Sequence, residues 1–150
     1  MKLFKAYQIH TQIEIEAPAE KVWNVLTDFT GYKKWNLFIP SVSGQLVQGA
    51  LLDILITVPN SKSQKYKVKI LQLQENKMLR WLGHFKLPGL VDGDHIFEIQ
   101  ALANNRTLFI QRERFNGVLV PFLWNFYINS KLRSGFIVLN EGLKNYLESN

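Results

Sequence analysis

The sequence predicts an α+β fold: an antiparallel sheet closed by one long C-terminal helix. Three observations carry that prediction. Ile9, Thr11, Ile13 and Ile15 alternate with His10, Gln12, Glu14 and Glu16, the two-residue period of a strand with one buried face. Between residues 52 and 115, short strand-like runs follow one another, broken by turn residues such as Glu75-Asn76-Lys77 and Asn104-Asn105. After Pro121 the period changes, and Leu132, Phe136, Leu139, Leu143 and Leu147 recur at steps of three or four, the apolar stripe of a helix packed on a sheet. Strands in series followed by a helix argue against a parallel sheet.

Element by element, the first strand runs to about Ala17. Pro18 suits a first helical turn, Glu20 complements its positive end, and Val22, Trp23, Leu26 and Phe29 repeat at helical spacing. Thr27 to Gly31 interrupt this helix, and a second short turn carries Tyr32 and Trp35, ending before Pro40. Leu52, Ile54, Ile56 and Val58 form the next strand. Lys65–Leu73, Met78–Phe85, Asp94–Leu102 and Arg106–Phe115 complete the sheet, with a Pro- and Gly-containing connection at Leu87–Asp92. The C-terminal helix spans six or more turns, with Lys131, Arg133, Glu141, Lys144 and Glu148 on its solvent side. Gly135 and Gly142 share one face, where they either permit close contact with the sheet or leave room for something else.

Composition narrows the function classes. With 150 residues, 47% hydrophobic, the chain is read as a single domain over residues 1–150. The absence of cysteine excludes disulfides, thiolate catalysis and Cys-ligated metals. No stretch approaches the roughly 20 apolar residues of a membrane span, and the opening residues lack the apolar run of a signal peptide. A soluble, cytoplasmic protein is expected. The net charge of +6 is scattered; its densest tract, Lys65, Lys67 and Lys69, alternates with Tyr66, Val68 and Ile70 and reads as a strand's solvent face rather than a nucleic-acid surface. Weak attraction to anionic lipid surfaces fits the same charge. The three histidines lack short ligand spacing, so neither a metal nor another cofactor is expected.

Particular motifs sharpen this picture. Ala17-Pro18-Ala19-Glu20-Lys21-Val22-Trp23, Leu26-Thr27-Asp28-Phe29 with Tyr32 and Trp35-Asn36, Gly44 and Gly49, Gly93-Asp94-His95-Ile96-Phe97, Glu113-Arg114-Phe115-Asn116-Gly117, and Gly135-Phe136 through Leu143-Lys144 resemble the SRPBCC or START-like superfamily. Within it, the chain is most similar to small bacterial polyketide-cyclase-like and lipid-transport-like proteins. The resemblance implies a helix-grip fold: a bent antiparallel sheet of six to seven strands wrapped around the C-terminal helix, with a cavity between them.

Hairpin arithmetic supplies candidate cavity walls. A loop centred on Gly89 and Leu90 sets His84 opposite His95 and Leu82 opposite Phe97. A two-residue loop at Asn104-Asn105 sets Phe97 against Arg112, and a three-residue loop at Glu75–Lys77 sets Leu82 against Ile70. One face then collects Leu82, His84, His95, Phe97 and Arg112 with Val68, Ile70, Ile99, Leu108 and Ile110. A single bulge would invert the assignment, leaving Glu113 as an inward candidate. Trp35, Phe38, Trp124, Tyr127 and Phe136 are the aromatic candidates for lining or mouth, and Leu119, Val120, Phe122, Leu123, Trp124 and Phe126 form a cluster denser than one buried stripe requires.

Two accounts stand for the polar members. His84, His95 and Arg112 either place titratable groups and a cation in an apolar pocket, or the histidines lie at the rim and Arg112 pairs with a carboxylate such as Glu98. Three functions remain open. One is binding or transport of an apolar small molecule, a lipid or aromatic polyketide-like compound. Another is cyclase or dehydratase chemistry, with His84, His95 or Glu113 moving a proton. The third is a protein or membrane interaction module, with transient membrane contact through residues 119–126.

Overall fold

The computed structural model describes residues 7–149. Strand β1 (Tyr7–Ile15) is followed by α1 (Ala19–Thr27) and a 3-10 segment (Phe29–Lys34). Then come β2 (Ser41–Ser43), β3 (Leu51–Ile56), β4 (Gln64–Gln74), β5 (Met78–His84), β6 (Asp92–Leu102) and β7 (Arg106–Asn116). The chain ends in a continuous helical path: α2 (Val120–Leu123), a π-wound stretch (Trp124–Leu132) and α3 (Arg133–Ser149). All seven strands join one antiparallel open sheet in the order β1-β7-β6-β5-β4-β3-β2. This is the α+β helix-grip architecture expected, with β2 an addition to the strands read from periodicity.

Burial follows the alternation. Ile9 and Ile15 of β1, Ile70 of β4, Leu79 and Trp81 of β5, Phe97 and Ile99 of β6 and Phe109 and Phe115 of β7 all face the core. Lys65, Lys67 and Lys69 are exposed, as their alternation predicts, and Lys67 pairs with Asp53 at 3.1 Å. Helix α1 buries Val22, Trp23 and Leu26. Tyr32 sits between Phe29 and Trp35 in edge-to-face contacts and donates its hydroxyl proton to the Leu26 carbonyl. Helix α3 buries Phe136, Leu139 and Leu143.

The two helix glycines resolve in favour of close contact, made with the segment before β2 rather than with the sheet. A Cβ on Gly135 would lie 2.3 Å from the Phe38 ring, and one on Gly142 would lie 2.3 Å from the Trp35 carbonyl oxygen. The space over these two glycines is therefore taken by the Phe38 ring and the Trp35 backbone, and the room in this fold lies elsewhere.

Register differs from the hairpin arithmetic at three places. A bulge at Leu71 puts Trp81, not Leu82, opposite Ile70. The β5–β6 connection centres on Pro88, so His84 pairs with Asp92 and Trp81 with His95. The β6–β7 loop has three residues, with Asn104 and Asn105 both at positive φ, so Phe97 faces Gln111 rather than Arg112. Each shift is odd, and an odd shift turns a strand over. Leu82, His84 and Arg112 therefore leave the face they were predicted to share with His95 and Phe97, while Trp81, Gly83, Gln111 and Glu113 join it.

Candidate functional site

A cavity of about 310 Å³ lies between the inner face of the sheet and the π-wound stretch. Its sheet side is formed by β3 through β7, including Ile54, Tyr66, Val68 and Trp81; Leu123, Phe126, Tyr127, Ile128 and Leu132 cover it from the helical side, and Phe38 closes one flank. The void has a sequence cause. Gly83 and Gly93 are directly paired on the inner face and both line the cavity, so neither adds a side chain there, and the space over Gly93 is taken by the Glu113 carboxyl.

The polar floor is built from β6 and β7. Glu113, paired across the strands with His95, lays Oε2 over Gly93, where an added Cβ would come within 2.0 Å. Its Oε1 lies 3.3 Å from His95 Nδ1, and its side chain is 14% exposed. His95 is sandwiched between Phe97 and Phe136, with ring centroids 4.1 and 4.7 Å away and planes tilted by 15° and 8°. His95 Nε2 lies 3.0 Å from Gln111 Oε1. Gln111 Nε2 donates to the Phe136 carbonyl and to Asn140 Oδ1, and Asn140 Nδ2 donates to Thr11 Oγ1. A buried polar chain thus runs from the cavity through α3 to β1.

Burial governs the titration of this pair. Desolvation disfavours whichever form is charged, so it pushes Glu113 up to about 8, with a smaller contribution from Asp94. The same cause pulls His95 down to about 3, against the opposing hydrogen bond to Gln111. Tyr66, whose hydroxyl donates to Gln64 Oε1 at 2.7 Å, is pushed up to about 12, mainly by burial. Near neutral pH the cavity wall carries an uncharged acid beside an uncharged imidazole.

The other candidates are distributed around this site. Phe38 and Tyr127 line the cavity with His95 and Glu113. His84 reaches only its rim, with Nδ1 2.7 Å from Asp92 Oδ1. Phe97 and Phe136 stand behind the wall as the two sides of the His95 sandwich. Trp124 packs on Tyr7 and Phe115, and Trp35 packs against Gly142. Leu82 lies on the outer face, as does Arg112, which is ion-paired to Glu98 there; of the two accounts of Arg112, carboxylate pairing is the one the fold adopts. Tyr66, Trp81, Gly83, Gln111 and Asn140 were not among the candidates. Gly83 inside a strand, and amides at positions otherwise apolar by period, were the available signals.

The mouth of the cavity is apolar. The β5–β6 loop and the start of the helical path are tied together by hydrogen bonds from Val118 N to Gly89 O and from Leu119 N to Leu90 O. Around this junction Leu87, Val118, Phe122 and Phe126 are 64–74% exposed. Among the described residues, no three His, Asp or Glu side chains group as a metal site, and no helix is long and apolar enough to cross a membrane.

Comparison with known proteins agrees with this geometry. The Zhui aromatase/cyclase from a Streptomyces species superposes with a TM-score of 0.78 at 15% identity, over 96% of this chain and 94% of that one. A START superfamily protein from Mycobacterium smegmatis gives 0.71 at 18% identity, over 95% and 97%. The di-domain ARO/CYC StfQ from the steffimycin biosynthetic pathway gives 0.74 at 9% identity, over 96% of this chain and 51% of that one. At these identities the likeness speaks for the fold. No curated protein matches significantly in sequence. Residues 7–129 match the family model described as polyketide cyclase/dehydrase and lipid transport, and the chain belongs to that family.

Proposed function

We propose that this chain binds an apolar small molecule, a lipid or aromatic polyketide-like compound, in the cavity between the sheet and the π-wound stretch. Family membership and fold support a ligand-binding or cyclase-type role in general. The observation that carries the finer reading is the cavity itself: about 310 Å³, walled mostly by aliphatic and aromatic side chains, with only a few polar groups among them. Its volume falls at the lower end of the roughly 300–1,000 Å³ of small-molecule sites. Native mass spectrometry of protein purified from its source is expected to show a bound apolar compound that is lost on denaturation. Protein that is always empty and that gains no fluorescence with an apolar dye would refute the reading.

One observation favours a second reading, acid–base chemistry of the cyclase or dehydratase type. Glu113 and His95 form a buried pair through which a single proton can pass, and proton transfer by a positioned acid or imidazole is the step such reactions need. Replacing each in turn and assaying a polyketide-type substrate tests it. Turnover unchanged in both variants would leave binding alone.

A further inference from the structure

The hydrogen bonds around His95 determine where each proton sits. Phe136 O is a backbone carbonyl and only accepts, so the Gln111 atom 2.9 Å from it is the Nε2 amide. That same group donates to Asn140 Oδ1 at 2.8 Å, and Asn140 donates onward to Thr11 Oγ1 at 3.0 Å, so the amide orientations agree along the chain. Gln111 therefore turns Oε1 toward His95, and the imidazole must carry a proton on Nε2 to meet it. His95 Nδ1, 3.3 Å from Glu113 Oε1, is then the unprotonated nitrogen, and a proton on that carboxyl oxygen relieves the contact. Without one, a carboxylate oxygen would confront a ring lone pair in a buried site.

The surroundings decide which atom holds that proton. Among the described residues no Lys or Arg lines the cavity, and phenyl rings cover both faces of the imidazole. The titratable groups around Glu113 are His95 and Asp94 from β6, Tyr66 from β4, and His84 and Tyr127 farther along the wall. Asp94 is neutralised by a bidentate pair with Arg80. Nothing here stabilises a separated carboxylate and imidazolium, so the proton stays on the acid. Turned toward His95, it leaves Glu113 Oε2, lying over Gly93, as an acceptor. The Tyr66 hydroxyl likewise donates its hydrogen bond to Gln64 Oε1.

Deepening the binding proposal and resting on it, we infer that the cavity selects a neutral apolar molecule bearing a hydroxyl group (an alcohol, phenol or enol), which donates a hydrogen bond to Glu113 Oε2. A ligand carboxylate would meet an acceptor and find no Lys or Arg on the wall to balance it.

Calorimetric titration near neutral pH with 2-naphthol, 2-methoxynaphthalene, naphthalene and 2-naphthoate tests this. The wild-type protein is expected to prefer 2-naphthol over its methyl ether and over 2-naphthoate by about tenfold, the effect of one well-made hydrogen bond. Glu113→Gln is expected to keep that preference, because the carboxamide can donate to His95 Nδ1 and set its carbonyl over Gly93. Glu113→Leu is expected to abolish it while retaining naphthalene binding. Equal affinity for naphthol and its ether, a preference for naphthoate, or loss of discrimination in the Gln variant would each overturn the inference. The ligand series and the Gln variant decide the matter even if the Leu variant does not fold. Failure of all four compounds to bind would instead bring down the binding proposal on which this rests.

Discussion

At the scale of single residues, the two central groups give opposite pH dependences. His95 is held from the ordinary 6.5 down to about 3, so its contribution to stability is present above pH 6.5 and is lost as pH falls toward 3. Glu113 is raised from 4.5 to about 8, so its contribution is full below pH 4.5 and is lost as pH rises toward 8. Glu113→Gln removes only the second dependence. Its melting temperature relative to wild type is expected to climb between pH 5 and 8, and a constant difference across that range would contradict the raised titration. These residues were only partly legible in the sequence. His95 and Glu113 were singled out, but Gln111 and Asn140 became visible only once register put their amides within reach of the imidazole.

At the scale of elements, glycines divide into those that close space and those that open it. Gly142 lets α3 approach the Trp35 backbone, so Gly142→Ala forces a clash with a carbonyl and is expected to cost about 1–3 kcal/mol in urea unfolding. Gly83 faces the void, where the atom nearest an added Cβ is Val68 Cγ1 at 2.9 Å, with the Lys67 carbonyl oxygen at 3.8 Å. Gly83→Val is therefore expected to weaken binding of an apolar dye by at least about tenfold, while costing less stability than Gly142→Ala. The reverse ranking of the two variants in either measurement would place the void wrongly. Strand existence could be read from period and turn residues, because alternation survives any register. Strand facing could not. It depended on one bulge at Leu71 and on the lengths of two loops, and a Pro-Gly connection or an Asn-Asn turn does not state its own length. Arg112, placed by the hairpin arithmetic on the cavity face, sits on the outer face for that reason alone.

At the scale of the whole molecule, two of the apolar residues exposed around the mouth, Phe122 and Phe126, come from the cluster seen in the sequence, whereas Val120 of that cluster is buried. The segments that form the mouth, residues 85–91 and 117–132, contain Lys86 and Lys131 and no acidic residue. Adsorption to vesicles containing a quarter phosphatidylglycerol is expected to exceed adsorption to pure phosphatidylcholine, and to fall when Leu87 and Phe122 are both replaced by Asp. Flotation on a density gradient measures it; equal recovery of variant and wild type would show that the mouth makes no such contact. The overall architecture was legible because sheet and helix periods differ so plainly. The cavity's position was not, since the helix glycines that suggested room are filled by Phe38 and Trp35.

The stack of Phe97, His95 and Phe136 also gives the molecule an internal gauge. The chain has three histidines, and the His95 imidazole alone lies flat between two phenyl rings. Ring currents from both sides should carry its carbon-bound protons well upfield of those of His10 and His84 in a nuclear magnetic resonance spectrum. Because the same ring touches Glu113 at the cavity floor, its resonance should move when the cavity fills, reporting occupancy without a label.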